Sequence, residues 1–326
     1  MKALVCEAYG PLNSLVVKDI PAPLAGPKQV LIDVASAAVN FPDALMVQGL
    51  YQVKPPLPFS PGAELAGTIS AVGNDVRHLK AGDRVIAMVG HGGFAEQCVA
   101  DSHRVMPMPP GMDFDEGAAL VLTYGTSLHG LKDCGHLQPG ETLVVLGAAG
   151  GVGIAAIEIG KAMGARVIAA ASNDDKLDLC QKVGADDTVN YSRESLKERI
   201  LELTDGRGAD VIYDPVGGTY SEAAMRSLAW RGRLLVIGFA AGDIPKIPLN
   251  LALLRERSIV GVYWGDAVKH DPKGHLANML QLQEWFATGK IKPVISERFT
   301  LDHAADAIQR VADRQAKGKI VVNPRR

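Results

Sequence analysis

Two rhythms of apolar and polar residues divide this chain. Up to residue 124 the apolar positions fall in short runs broken by glycine, proline and polar loops. Residues 30–35 and 66–73 read as strands, and 82–88 as a turn entering a strand. Prolines cluster at 55–61 and 107–110, where loops are expected, and helical spacing is scarce. From 125 to 264 the rhythm changes. Apolar runs at 143–146, 166–170, 210–213, 234–237 and 258–262 are separated, for the most part, by helix-period segments at 152–163, 174–183, 193–203 and 220–229. Strands apolar on both faces, alternating with helices, predict a parallel, doubly wound sheet. Beyond 264 the spacing predicts helices at 276–288 and 301–314 and short strands at 292–295 and 319–322. This tail is too short for a domain and is expected to pack on the β-rich N-terminal part. The fold class is thus α/β, with a β-rich domain formed by 1–124 and 265–326 and a dinucleotide-type domain at 125–264.

The length of 326 residues agrees with two domains. The net charge of −2 offers no basic surface for nucleic acid or anionic lipid. The start runs straight into a strand pattern with no signal-peptide character, and no apolar run reaches membrane-spanning length, so a cytoplasmic protein is expected. Cys6, Cys98, Cys134 and Cys180 form no C-x-x-C pair and read as free thiols. His91 and His103 lack partners at ligand spacing, so no metal is expected.

The sharpest motif is 143–153, Leu-Val-Val-Leu-Gly-Ala-Ala-Gly-Gly-Val-Gly, followed by a helix pattern. A buried strand, a tight turn and a helix N-terminus bind phosphate, because free N–H groups and the helix dipole face the anion. Gly147 permits the turn, Gly150 lets the backbone approach a pyrophosphate, and Gly153 lets the helix sit close on the strand. Ala148, Gly151 and Val152 complete the cradle. An NAD site places a carboxylate at the end of the second strand, about 20 residues on. Here that place holds Ala171 and Ser172, with Lys176 four residues after Ser172. A small polar pocket with a nearby lysine favours the 2′-phosphate of NADPH. Asp174 and Asp175 add opposing charge nearby and read as first-turn helix residues. Phe239 and Val262 follow the fourth and fifth strands, at the end where such sheets bind cofactors.

Other stretches come in a telling order: Val39-Asn40-Phe41-Pro42-Asp43, Gly49-Leu50-Tyr51, Pro61-Gly62-Ala63-Glu64-Leu65-Ala66-Gly67, Ala81-Gly82-Asp83-Arg84-Val85, Thr123-Tyr124-Gly125-Thr126, Gly184-Ala185-Asp186, Tyr213-Asp214-Pro215-Val216-Gly217-Gly218 and Gly318-Lys319-Ile320-Val321-Val322. With the glycine turn, this ordered set resembles the zinc-free quinone oxidoreductase branch of the medium-chain dehydrogenases/reductases, over essentially the whole length. The resemblance implies a GroES-like β-rich domain and a Rossmann domain. It implies that Lys176 and Tyr191 contact the 2′-phosphate, that Thr126 sits by the nicotinamide, and that Asn40, Asp43 and Tyr51 lie on the substrate side. Asn40 would donate to cofactor or acceptor, or brace a loop. Tyr51 would hydrogen-bond the acceptor or relay a proton, or pack an apolar wall. Asp43 would perform acid–base work, or fix the loop or a helix start.

In the zinc-binding branch a Cys, a His-Glu pair and a later Cys hold the metal; here Asn40, Ala63-Glu64 and a cysteine-free stretch from 99 to 133 stand in their places. The expected activity is metal-free hydride transfer from NADPH to quinones or α,β-unsaturated carbonyls. The alternatives are an enoyl or acryloyl thioester reductase, and a non-catalytic NADPH-binding protein of the crystallin or RNA-binding kind. A homodimer paired through the sheet edge at 258–262 is expected, with a small-molecule acceptor as the other partner and neither nucleic acid nor membrane.

Overall fold

A computed structural model describes residues 1–325. The chain forms two compact units: Met1–Leu122 joined by the segment from Pro293 onward, and Thr123–Lys292.

The first unit is mostly strands. β1 (Lys2–Val5) and β2 (Val16–Asp19) form a small antiparallel pair. In β3 (Gln29–Ala38), Val30, Ile32 and Val34 are fully buried while the residues between them are half-buried, the period of two that a strand on a core imposes. The helix α1 (Phe41–Val47) follows, then β4 (Glu64–Val72), β5 (Arg84–Met88), β6 (Gln97–Asp101), β7 (Val105–Pro107) and α2 (Phe114–Ala118). Asp113 starts α2 through a capping box: Glu116 N donates to Asp113 Oδ1 at 2.8 Å, and Asp113 N to Glu116 Oε2 at 3.0 Å.

α3 (Val121–Leu128) leads into the second unit and continues as a π-helix, His129–Cys134. Then come β8 (Thr142–Leu146), α4 (Gly151–Ala162), β9 (Arg166–Ala171), α5 (Asp174–Lys182), β10 (Asp187–Asn190), α6 (Leu196–Leu203), β11 (Ala209–Asp214), α7 (Tyr220–Ser227), β12 (Leu228–Val236), α8 (Asn250–Leu253) and β13 (Ser258–Gly261). The six strands pair in parallel in the order β10-β9-β8-β11-β12-β13. Every residue of β8 is buried, as covered faces on both sides require. The order reverses between β8 and β11, the switch point where such sheets bind ligands at their strand carboxyl ends.

Two further helices, α9 (Trp264–His270) and α10 (Pro272–Ala287), stay with this second unit, whereas the sequence pattern assigned everything from 265 onward to the first. Side chains of α9 and α10 are spoken for there: Trp264 and Met279 lie against Gly125, and Asn278 hydrogen-bonds Asp133 and Lys132. The return to the first unit begins at Pro293, with β14 (Ile295–Thr300), α11 (Ala304–Ala312) and β15 (Lys319–Asn323). β15 pairs antiparallel with β3, completing a seven-stranded sheet along β14-β15-β3-β4-β5-β7 with β6 also on β3.

Candidate active site

The glycine turn between β8 and α4 has the shape of a dinucleotide cradle. Gly147 sits at φ +55°, a left-handed backbone that other residues resist. A Cβ on Gly153 would stand 2.5 Å from Gly147 O and 2.6 Å from Ala148 O, so only glycine lets α4 start this close to the turn. Gly150 is the N-cap of α4 and no side chain caps it. Uncapped N–H groups at a helix N-terminus suit an anion. Ala148 and Gly151–Val152 lie within this same turn and first helical residues.

Beyond β9, Ser172 is half-buried and Asn173 caps α5, its Oδ1 accepting from Lys176 N at 3.0 Å. Asp174, the carboxylate nearest this site in sequence, is held by Arg193 and by Asn190 Nδ2 at 2.8 Å, and those partners keep it below the usual carboxylate range. Tyr191 follows β10, its N donating to Ala171 O at 3.2 Å, and its ring meets Tyr220 with centroids 4.6 Å apart. The strand ends thus gather Ser172, Lys176, Tyr191 and Arg193 on consecutive connections. Arg193 is a cation that sequence reading passed over, because it lies inside a segment read as helix; α6 in fact starts at Leu196.

At the next strand ends, buried Asp214 organises the loop after β11. Its Oδ1 accepts from Val216 N and Gly217 N, both at 2.9 Å, and its Oδ2 from Ser221 Oγ at 2.5 Å. Phe239 follows β12 and lies on Gly217; Val262 follows β13, its N donating to Val236 O at 3.0 Å. Thr126 is half-buried in α3 beside Ser127, whose hydroxyl donates to Val152 O at 3.0 Å and meets Tyr213 Oη at 2.9 Å. Ser127 therefore ties α3 to the first turn of α4. Glu158, on α4, is buried; its carboxyl accepts Tyr124 Oη at 2.5 Å and Lys292 N at 3.1 Å, and burial raises it to about 7. Trp264 is a packing residue: it is 8% exposed and stacks edge-on against His275 at 5.6 Å.

In the first unit, Asn40 and Asp43 belong to one buried polar cluster. Asn40 is the N-cap of α1. Its Nδ2 donates to Glu64 Oε1 at 2.9 Å and to Ala38 O at 3.3 Å, and its Oδ1 accepts from Lys319 Nζ at 2.6 Å. Asp43 accepts Asn40 N at 2.7 Å and Gly62 N at 3.3 Å, tying the helix start to the loop that leads into β4. Burial raises the Asp43 carboxyl to about 7, against the pull of the Asn40 N–H and the Lys319 charge. Lys319 Nζ completes the cluster with Val39 O and Glu64 Oε1, each at 3.1 Å, while Glu64 Oε2 accepts Leu122 N at 2.8 Å. All three ammonium protons have an acceptor. Asn40 and Asp43 hold backbone and each other in place. Tyr51 is half-buried against the core of the first unit.

Lys319 is a cluster member to which the sequence alone assigns no role. Its signal was there: a lysine opening the apolar run Ile320-Val321-Val322 has to find a buried anion. Among the described residues no group of three or more His, Cys, Asp or Glu side chains is placed to hold a metal ion, and no helix is long and apolar enough to cross a membrane.

Residues 26–110 match the alcohol dehydrogenase GroES-like domain, and 151–282 the family described as zinc-binding dehydrogenase. A quinone oxidoreductase-like protein 2 homolog of Nematostella vectensis is 41% identical over 99% of this chain and 88% of its own length. A quinone oxidoreductase of Pseudomonas aeruginosa is 33% identical over 99% of both chains. Among solved structures, Escherichia coli quinone oxidoreductase complexed with NADPH superposes with a TM-score of 0.92 at 26% identity, covering 99% of this chain and all of the other. These likenesses span both the β-rich and the parallel-sheet portions, so the chain belongs to the quinone oxidoreductase family of medium-chain dehydrogenases/reductases and is an oxidoreductase.

Proposed function

We propose that this protein is an NADPH-dependent reductase of quinones and α,β-unsaturated carbonyls that works without a catalytic metal. The observation that carries the reading is the uncapped start of α4 at Gly150, walled by a turn in which Gly147 and Gly153 admit no side chain. Residues 150–153 would hold the pyrophosphate. Ser172 and Lys176, with Tyr191 and Arg193 beside them, would hold the adenosine 2′-phosphate, a place where an NAD site keeps a carboxylate. Asp174 is neutralised by Arg193, which removes its objection to a phosphate. The NADPH-complexed Escherichia coli neighbour supports the same assignment. When bound, the dihydronicotinamide supplies the hydride, and the protein supplies orientation and electrostatics. Thr126, Phe239 and Val262 would line the ring.

The zinc that one matching family description implies does not fit this chain. Where the zinc branch has its first cysteine and its His-Glu pair, this chain has Asn40 and Ala63-Glu64. The Lys319 ammonium lies 2.6 Å from Asn40 Oδ1 and 3.1 Å from Glu64 Oε1, so a resident monocation occupies the coordinating atoms. A site without a Lewis acid suits acceptors already activated by conjugation. Hydride would arrive at an electrophilic carbon, and donors facing the carbonyl oxygen would take the developing charge. Tyr51 is the side chain proposed to meet the acceptor.

The test is NADPH oxidation by chelator-treated enzyme across 1,4-quinones, enones, enoyl thioesters and simple ketones. The reading expects turnover of quinones and enones, unchanged by the chelator, and none of simple ketones. Loss of activity on chelation, or preference for a simple ketone, would overturn it. Turnover confined to the thioesters would favour the enoyl reductase alternative.

A further inference from the structure

A second reactive constellation lies in the second unit, at the π-helix His129–Cys134. In a regular α-helix, residues five apart point about 140° away from each other. The wider π-turn, closed by Gly135 N donating to Gly130 O at 2.8 Å, brings them onto one face. His129 Nε2 thus lies 3.3 Å from Cys134 Sγ, while its Nδ1 donates to Asp133 Oδ2 at 2.9 Å. Asp133 is itself held by Asn278 Nδ2 at 2.7 Å, and Asn278 is oriented by Lys132 Nζ at 3.0 Å from its Oδ1. Nucleophile, base and orienting carboxylate therefore follow in hydrogen-bonding sequence, which is the geometry of an activated nucleophile.

The surroundings agree. The Cys134 hydrogen bond, with Asp133 behind it, lifts His129 to about 9 against the opposing effect of burial, so the ring is an imidazolium at neutral pH. That places a proton carrier within hydrogen-bond reach of the Cys134 sulfur. The other titratable group facing this ring is His275 of α10. Its Nδ1 is buried with no hydrogen-bond partner, and burial and the His129 charge hold it below its ordinary value. Cys134 is half-buried, while Cys6, Cys98 and Cys180 are buried. Desolvation pushes the Cys98 and Cys180 thiols up to about 12. Of the four cysteines, Cys134 is thus the one that is not buried, and a histidine stands beside its sulfur.

We propose that Cys134, set by His129 and Asp133, is a covalent addition site for soft carbon electrophiles, namely conjugated enones and quinones. The Cys134 thiolate forms a C–S bond to the β-carbon, and the π electrons move to the carbonyl oxygen as an enolate. The proton on His129 Nε2 then passes to that enolate, so nothing leaves and no external oxidant or reductant is needed. With a quinone the same addition ends in a hydroquinone thioether. The site shares an electrophile class with the proposed substrates but stands on its own residues, and labelling can succeed where turnover fails.

The experiment treats the full chain with substoichiometric N-ethylmaleimide or 1,4-benzoquinone, and maps adducts by peptide mass spectrometry. Glutathione is the competing thiol, at pH 6. The expected result is that Cys134 carries the adduct at least tenfold ahead of the other three cysteines and of glutathione. His129→Gln should slow it about tenfold with the circular dichroism spectrum unchanged. Should that variant not fold, the wild-type race against glutathione decides alone. Labelling spread evenly over the cysteines, a rate no greater than glutathione's, or an unaltered rate in folded His129→Gln would overturn the proposal.

Discussion

Lys319 shows what single residues do in this molecule. It is 4% exposed, and its charge is balanced by Glu64, which is fully buried. A buried pair is a poor source of stability as such, but removing one partner strands the other charge and typically costs about 3–5 kcal/mol. Lys319→Met should lose that much in urea denaturation. Lys319→Met combined with Glu64→Gln should recover most of it, because an amide in place of the carboxylate leaves no orphan charge. A double variant no more stable than the single one would show that the cluster is not a charge pair. Asn40 and Asp43 act at this scale too. Their polar atoms bond to Lys319, Glu64 and backbone groups, which ties the start of α1 to the loop before β4.

At the scale of elements, the turn from β8 into α4 is where geometry is least forgiving. A methyl on Gly153 meets two carbonyl oxygens at 2.5 and 2.6 Å. Overpacking of this kind costs about 1–3 kcal/mol. Gly153→Ala should therefore lower Tm and, by moving the start of α4, weaken dinucleotide binding at least tenfold; a variant with wild-type affinity would contradict the cradle. This element was legible in the sequence, because strand, glycine spacing and helix period all point the same way over many residues. Other elements were not. β10 is only four residues, Asp-Thr-Val-Asn, with no apolar run to mark it. α1 starts at Phe41-Pro42, where a proline reads as loop, though Pro is well tolerated in a first helical turn. The π-helix leaves no periodic trace, since one wide turn shifts the apolar phase by a single residue. Amphipathic spacing marked residues 276–288 as a helix, yet the spacing of one helix does not say which core its apolar face joins; Asn278 and Met279 decide for the second unit through Asp133 and Gly125.

At the scale of the whole molecule, motif order over the full chain led to the family, and the two-unit architecture followed from the change of rhythm near residue 124. The second boundary, at Pro293, depends on tertiary contacts that no local pattern encodes. The parallel sheet ends on β13, where Ile259 is 41% exposed, leaving an open strand edge of the kind the dimer expectation used. Cofactor preference is a property of the full chain. Fluorescence titration with NADPH and NADH, on wild type and Lys176→Ala, measures that preference. The account predicts tighter binding of NADPH by wild type. It also predicts a selective loss of about 1.5–3 kcal/mol in NADPH affinity on substitution, the size of a charge-assisted hydrogen bond, with NADH little changed. Equal affinity for the two cofactors, unaltered by Lys176→Ala, would contradict the reading of the pocket at the end of β9.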